Sequence, residues 1–362
     1  MNTEDTPLYN GIPLEFSTDP VYIKKSDSIF IEETLTHLLS VAEEFTKQAL
    51  KDPDLLIQLG LPPDLPDEPT PLGFHIPFAR FDFLFDSLGT TNESKLKVLE
   101  LNTDGTSGFN TSEWIGEKAN IPDEENPNKD LSKRLYNAIL AHSPKSPEVV
   151  LLDLENTETN WEQRDLVKRW NVFGSAKWCD PISKNWSPGS VIYRRILSWQ
   201  LRYHQERFNS FLNDWSEKKI TVVGGWSSDV GMSKVWPAIT KSTEFPETRV
   251  LNKFLIHRLR DEREKWILKG ALSYAGKAVL RGSDLSQEKW ESTLTRILSE
   301  TESGRPWIAQ EKCPIPLVDG KPCELGLYFL NGVASGYMCR WGHLDPISEK
   351  STEILRPVQI IP

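Results

Sequence analysis

Long apolar runs are missing from this chain: none approaches the ~20 residues that a membrane-crossing helix needs. The first residues, MNTEDTPLYNG, carry neither the basic nor the apolar stretch of a secretory leader. A soluble, cytoplasmic protein with no membrane partner is therefore expected. Cysteine is scarce, with Cys179, Cys313, Cys323 and Cys339 too scattered to form a C-x-x-C pair, and the six histidines never fall at zinc-ligand spacing. Neither a zinc site nor a disulfide scaffold is supported, and each thiol reads as a small buried hydrophobe. Positive charge is also short: the net charge is -10 and no long Lys/Arg cluster occurs, which argues against nucleic acid as a partner. Internal repeats are lacking too. Small-molecule chemistry is what these absences leave.

What is present is enough material for a large core. Of 362 residues, 38% are hydrophobic and 10% aromatic, compatible with two or three domains or one large enzyme. Leu35, Leu38, Ala42 and Phe45 recur at helical spacing within residues 28–50, predicting an amphipathic helix. The acidic, proline-rich LGLPPDLPDEPTPLG that follows reads as a loop or linker. A second loop, NIPDEENPNKD, precedes a helix around 131–142. EVVLLDLEN then reads as a buried strand, TNWEQRDLVKRW as the next helix, and SVIYRR and ITVVGGW as short strands.

Two strands carry the first chemistry. In PFARFDFLFD, Ala79, Phe81, Phe83 and Phe85 make an apolar face, so Arg80 and Asp82 share the opposite one. In KVLELNTDG, Glu100 and Asn102 project together while Leu99 and Leu101 turn towards a core, and Asp104 continues the alternation. Side by side, the strands would pool Asp82, Glu100 and Asn102, hard oxygen donors suited to Mg²⁺. Arg80 would then face an anion. A solvated face of a half-exposed sheet shows the same alternation, so spacing alone leaves both readings open.

The last third adds cations. KWILKGALSYAGKAVLRGS reads as two strands joined by a small-residue loop holding Ser273, Tyr274 and Gly276, with Lys269 ending the first strand. It misses the phosphate-cradling P-loop, because five residues separate Gly270 from Gly276 and Ala278 follows Lys277 where Ser or Thr is needed. A mobile hairpin that closes over phosphates is the expectation. PWIAQEKCPIP reads as a strand ending in Gln310, Glu311 and Lys312. ELGLYFLNGVASGYMCRWG reads as a hairpin turned by Asn331-Gly332, with Arg340 on its second strand. Taken singly, Arg340 reads as a surface cation.

The order of these pieces resembles the circularly permuted ATP-grasp ligases, and among them glutathionylspermidine synthetase and its relatives. Arg80 and Asp82 form Arg-x-Asp, Glu100 and Asn102 form Glu-x-Asn, and two lysines, Gln-Glu and an arginine hairpin follow. Ordinary ATP-grasp proteins place the lysines before the metal strands. The resemblance spans most of residues 73–342 and implies an α+β fold with mixed and antiparallel sheets and a mobile hairpin over the nucleotide. It implies that Arg80 contacts the γ-phosphate and the carboxylate, that Arg340 reaches the phosphates, and that Asp82, Glu100 and Asn102 hold Mg²⁺. SDVGMSKVWPAI matches the helix start bearing the first nucleotide lysine, Lys234, with Lys253 in LNKF the competing candidate and Lys269 the second lysine. Further ATP contacts fall to Ser273 and Gly276 in the hairpin and to Gln310, Glu311, Lys312 and Cys313 beside the adenine. This sequence departs from the pattern at Gly270, where the family has proline, in a flap thinned to ALSYAGK, and in TTNESK, which lengthens the connection before Glu-x-Asn.

One catalytic unit is implied. Residues 1–72 would be an N-terminal helix and proline-rich linker, 73–230 the metal strands and substrate region, 231–305 the lysine and flap region, and 306–362 the adenine strand and C-terminal hairpin. The implied reaction joins a small carboxylate to an amine through an acyl phosphate, with ATP as co-substrate and ADP and phosphate released. In the loop TDGTSGFNTSEW, Asp104, Gly105, Thr106 and Ser107 are the candidate pocket for the substrate carboxylate; helix capping by Thr111 or Ser112 is the structural alternative. Two other function classes compete. One is a nucleotide-binding module without turnover, and the other a carbohydrate-binding protein suggested by the 13 Trp residues. Trp161, Trp170, Trp199 and Trp236 lie in helix-like segments, where core packing is the common use.

Overall fold

The computed structural model describes residues 6–9, 11–86, 96–103, 105–154, 160–203, 205–273, 278–342 and 353–362. The alternating segments Phe78–Phe85 and Leu96–Asn102 form adjacent antiparallel strands at one edge of a central sheet. Its order runs Glu353–Arg356, Val333–Gly342, Lys321–Leu330, Phe78–Phe85, Leu96–Asn102, with Leu317–Val318 as a short extra strand beside Lys321. All its neighbours are antiparallel. The hairpin of the last third turns at Asn331 and Gly332, whose φ angles of 49° and 80° meet the demand of a tight primed turn for two left-handed residues.

One face of the central sheet is apolar. Phe81, Phe83, Leu325, Leu327, Phe329 and Cys339 pack there against Ile31, Leu35, Leu38, Leu39, Ala42 and Phe45, the buried stripe of the helix Lys25–Ala49. On the opposite face, Phe78, Tyr328 and Leu330 at one end join Phe109, Leu131 and Leu135 in a second core. The remaining polar positions of that face are left to the site.

Beyond the second core lies a parallel sheet, ordered Ala176–Cys179, Val149–Leu152, Val191–Arg194, Thr221–Val223. Val149, Val150, Leu151 and Leu152 are all fully buried, as a strand covered on both faces requires. The helices Leu131–Leu140 and Asn160–Trp170 cover one face and Gln205–Ser216 the other. A third, antiparallel sheet, ordered Thr248–Val250, Trp307–Glu311, Trp266–Gly270, Val279–Arg281, rests on the helices Leu255–Asp261 and Gln287–Glu302 through Trp266, Trp290, Leu294 and Ile297.

The mixed α+β class is the one the sequence predicts. Trp170 and Trp236 are buried, which is the packing use of tryptophan. No helix among the described residues is long and apolar enough to cross a membrane. Two local expectations change. SDVGMSKVWPAI is not one helix start but two short helices, Ser228–Met232 and Trp236–Thr240, with Lys234 between them and Pro237 opening the second. Leu99 does not turn into the core: the register shifts between Asp82 and Phe83, where Glu100 and Val98 are the partners, so Leu99 is the extra residue of a bulge and stands half-buried.

Candidate active site

Register alone assembles the polar face. Arg80 pairs with Asn102 and Asp82 with Glu100 across one strand boundary; Asp82 faces Gly326 across the next, and Glu324 faces Arg340 across the third. Residues 258 positions apart therefore meet in hydrogen bonds, the Arg340 guanidinium reaching Asp82 Oδ2 at 2.8 Å. Gly326 is needed in the middle, because a Cβ there would stand 2.9 Å from Arg80 Cδ and 3.1 Å from Asp82 Oδ1.

Asp82 is the hub. Arg80 grips it with both arms of the fork, Nε to Oδ1 at 2.5 Å and Nη2 to Oδ2 at 2.9 Å, while Asn102 Nδ2 donates to Oδ2 at 3.0 Å. Burial opposes the charge on Arg80, but the Asp82 carboxylate overrides it and raises the guanidinium's pKa. Asn102 Nδ2 also lies 3.4 Å from Glu100 Oε1. Burial likewise opposes the charge on Glu100, yet Lys234, Lys269, Arg340 and Arg80 together hold its carboxyl at about 2.

The two lysines come from the far side of a cleft between the central and the third sheet. Lys234 Nζ lies 3.5 Å from Glu100 Oε2 and donates to the Ser273 carbonyl at 2.6 Å. Lys269 is buried and donates to the Leu99 carbonyl at 3.4 Å, so the bulge serves the site. Burial lowers the Lys269 pKa, with Glu100 acting against it. Lys253, by contrast, is exposed and its ammonium lies 5.2 Å from the centre of the Phe254 ring. The geometry brings Lys234, not Lys253, to the carboxylates. A narrow cleft there is lined by Glu100, Lys234, Met232, Phe245, Ile308 and Gln310.

The other predicted residues divide. Gln310 is buried, but its side chain donates to Thr248 Oγ1 at 3.2 Å. The N–H groups of Glu311 and Lys312 donate to the carbonyls of Glu247 and Lys265, both at 2.8 Å, and both side chains are exposed. Cys313 is half-buried, and burial pushes its thiol pKa up. Ser273 Oγ turns back onto the Gly270 carbonyl at 2.9 Å. Gly276 and Asp104 lie outside the described residues.

The loop after Asn102 touches the site through its backbone. The Ser107 carbonyl accepts from Arg80 Nη1 at 2.9 Å and from the Tyr328 hydroxyl at 3.1 Å. Thr106 is buried and its hydroxyl donates to the Thr103 carbonyl at 3.2 Å. Neither Thr111 nor Ser112 caps a helix here; the helix Phe109–Lys118 starts after Gly108, whose φ is +96°, and both hydroxyl residues lie inside it. The Gly108 N–H donates to Glu162, which also binds Arg195 at 3.2 Å, so the loop is tied to the parallel sheet.

Sequence reading missed Glu324. Its signal was available: in CELGLYF the apolar residues Cys323, Leu325, Leu327 and Phe329 alternate with Glu324, Gly326 and Tyr328, the pattern that marked Asp82 and Glu100. Four cations, Arg80, Lys234, Lys269 and Arg340, thus converge on three carboxylates, Asp82, Glu100 and Glu324.

No protein-family model matches the chain, and no curated protein does. Among solved structures it is similar to the apo form of a glutathione synthetase-like effector, GSS30, from Globodera pallida, with a TM-score of 0.53 and 12% identity over 98% of this chain and 93% of that one. The two chains share one fold. D-cycloserine synthetase DcsG is a looser likeness, with a TM-score of 0.39 and 16% identity over 59% of this chain and 72% of that one. A shared architecture at such identity leaves the chemistry to be argued from the cleft.

The donor set fits Mg²⁺. Among the described residues no three His, Cys, Asp or Glu side chains could hold a metal by themselves. Mg²⁺ does not ask for that: it commonly takes one or two carboxylates and completes its octahedron with phosphate oxygens and water. The Asn102 amide lies within hydrogen-bond reach of both Asp82 and Glu100, and it would have to turn its oxygen inward to join them as a ligand.

Proposed function

We propose that this protein is an ATP-dependent ligase that joins a small carboxylate to an amine, with a nucleotide site of the circularly permuted ATP-grasp kind and a functional likeness to glutathionylspermidine synthetase. The observation that carries the reading is the position of Glu100: it sits beside Asp82 and Asn102 and opposite Lys234 and Lys269, so carboxylates and ammonium groups meet across a cleft between two antiparallel sheets. A polyphosphate with its cation is a ligand that uses both signs.

Asp82, Glu100 and Asn102 would hold Mg²⁺, which supplies charge neutralisation between phosphate oxygens. Arg80, Arg340, Lys234 and Lys269 offset the charge of the transferring phosphoryl group, which needs positioning and electrostatics more than covalent help. The substrate carboxylate oxygen bonds to the γ-phosphorus as the bond to ADP breaks. An amine then attacks the acyl carbon, phosphate leaves, and an amide remains. The Gly105–Ser107 backbone beside Arg80 is the carboxylate's pocket, with Asp104 contributing. Adenine lies along Gln310–Cys313, recognised through carbonyls and the Cys313 peptide, since the Glu311 and Lys312 N–H groups are engaged. The flap ALSYAGK, of which residues 274–277 lie outside the described residues, would close over the phosphates with Ser273 and Gly276. The substrates are small molecules, without nucleic acid or membrane, and the setting is cytoplasmic.

A second reading, a nucleotide-binding module without turnover, draws on the engagement of Asp82 by Arg80, Asn102 and Arg340. ADP release separates the two. Amino acids, peptides and polyamines, screened with ATP and Mg²⁺, should include a carboxylate–amine pair that releases ADP; tight ATP binding with no release for any pair would favour the inert module.

A further inference from the structure

Cys323 and Cys339 stand 16 positions apart in sequence, yet their sulfurs meet at 3.5 Å. Strand pairing brings them together. Cys323 pairs with Trp341 and Leu325 with Cys339, so the two thiols are diagonal neighbours at the open end of the hairpin, on either side of the Glu324–Arg340 pair. Both side chains lie in the apolar core behind the site, with Phe83 and Leu325. Cys179 differs: its sulfur touches the Asp180 carbonyl and the Ser183 hydroxyl. The two thiols of the hairpin are not equivalent. Cys323 is 5% exposed against 1% for Cys339. Its own N–H donates to the Pro316 carbonyl at 2.9 Å, beside the two-rung ladder that joins Leu317–Val318 to Lys321 and Pro322. A ladder that short, with Leu317 exposed, can open locally while the central sheet stays folded. Cys339 is the inner partner. Its hydrogen bond with Cys323 and its burial push its pKa well up, so it stays a thiol.

We propose that Cys323 and Cys339 form an oxidation site, which a small hydroperoxide converts into a disulfide stapling the open end of the hairpin. The Cys323 thiolate sulfur attacks the peroxide, the O–O bond breaks, and a sulfenic acid forms as water or an alcohol leaves with a proton. The Cys339 sulfur then attacks the sulfenic sulfur. The S–S bond forms, the S–O bond breaks, and the Cys339 proton leaves with the hydroxide as water. Two thiols are oxidised by two electrons and one peroxide is reduced. From contact at 3.5 Å the sulfurs have about 1.5 Å to close. The bridge lies behind the Glu324–Arg340 pair and restrains the two strands that present it. The proposal holds whether or not the cleft turns over ATP.

The test uses the full chain, freshly reduced, freed of reductant and treated with an equimolar amount of hydrogen peroxide under native conditions. After acid quenching and alkylation in denaturant, two of the four thiols should be lost, and peptide mass spectrometry should find Cys323 bonded to Cys339. Dithiothreitol should restore both thiols. In Cys339→Ser, dimedone should label Cys323 as the sulfenic acid, whereas Cys323→Ser should leave Cys339 unlabelled. Amide exchange at residues 321–324 and 339–342 should slow about tenfold in the oxidised wild type, as local opening is suppressed. Two buried thiols that merely pack give another pattern: Cys179 or Cys313 is consumed while the pair survives, or Cys323 is carried to sulfinic acid without a cross-link. Either result in the wild type overturns the proposal, even if a variant fails to fold. A cross-link that leaves amide exchange unchanged also overturns it, because the staple is then absent.

Discussion

Single side chains decide the site through charge that cannot be left alone. Removing Asp82 outright strands the buried Arg80, an error that costs about 3–5 kcal/mol of stability in comparable pairs, so Asp82→Ala confounds folding with chemistry. Asp82→Asn keeps the shape, and Glu100 is only half-buried, so Asp82→Asn and Glu100→Ala should each abolish Mg²⁺-dependent turnover while the circular dichroism spectrum stays native. Near wild-type turnover in either variant would show the metal assignment to be wrong. The lysines give a ranking. Lys269→Ala and Lys234→Ala should each weaken ATP binding by about 10- to 100-fold, the range of a charge-assisted hydrogen bond, whereas exposed Lys253→Ala should leave a calorimetric titration unchanged. The opposite ranking would move the first nucleotide lysine to Lys253.

Elements position those side chains, and their stability is separable from the site. Leu35 is fully buried in the helix Lys25–Ala49 behind the sheet, so Leu35→Ala should cost about 2–5 kcal/mol in a denaturant melt with no change in nucleotide affinity per folded molecule. At the carboxyl end of Val149–Leu152, Asp153 is buried; burial lifts its carboxyl to about 6 against the ordinary 3.8, with the Arg195 guanidinium opposing. A pKa raised by folding contributes stability that is complete below the unfolded value and disappears as pH rises through the folded one. Asp153→Asn should therefore raise the melting temperature at pH 7–8 and make little difference near pH 4; equal effects at both pH values would show that the charge is not the cause. The same elements show what the sequence could reveal. Alternation located the strands and the faces of Arg80, Asp82, Glu100 and Asn102, because a two-residue period follows from the pleat alone. Glu324 was legible by that rule in CELGLYF. The bulge at Leu99 was not, because an extra residue appears only once Phe78–Phe85 fixes the register. Nor was the partnership of Arg340 with Asp82, which depends on a hairpin from the end of the chain pairing beside a strand near its beginning.

The molecule as a whole sets the kind of chemistry the cleft can support. A central sheet supplies carboxylates and arginines, a third sheet supplies Lys269, and the loop from Asn102 to Gly108 ties the site to a parallel sheet through Glu162. Under the proposed ligase reading, an acyl phosphate formed there must be kept from water until an amine arrives, since water hydrolyses it. A small, strong nucleophile should substitute for the amine. With ATP, Mg²⁺ and the right carboxylate, hydroxylamine should yield a hydroxamate, measured as its ferric complex, and chromatography of the nucleotides should show ADP accumulating in equal amount. Attack at the α-phosphate would instead release AMP and pyrophosphate. The proposed assignment of Arg80, Asp82, Glu100 and Asn102 to the γ-phosphate end disfavours that route, because all four lie on neighbouring positions of two paired strands. AMP as the product would sink the ATP-grasp reading, whereas ADP formed without hydroxamate would leave phosphoryl transfer intact and place the acceptor elsewhere than on a carboxylate.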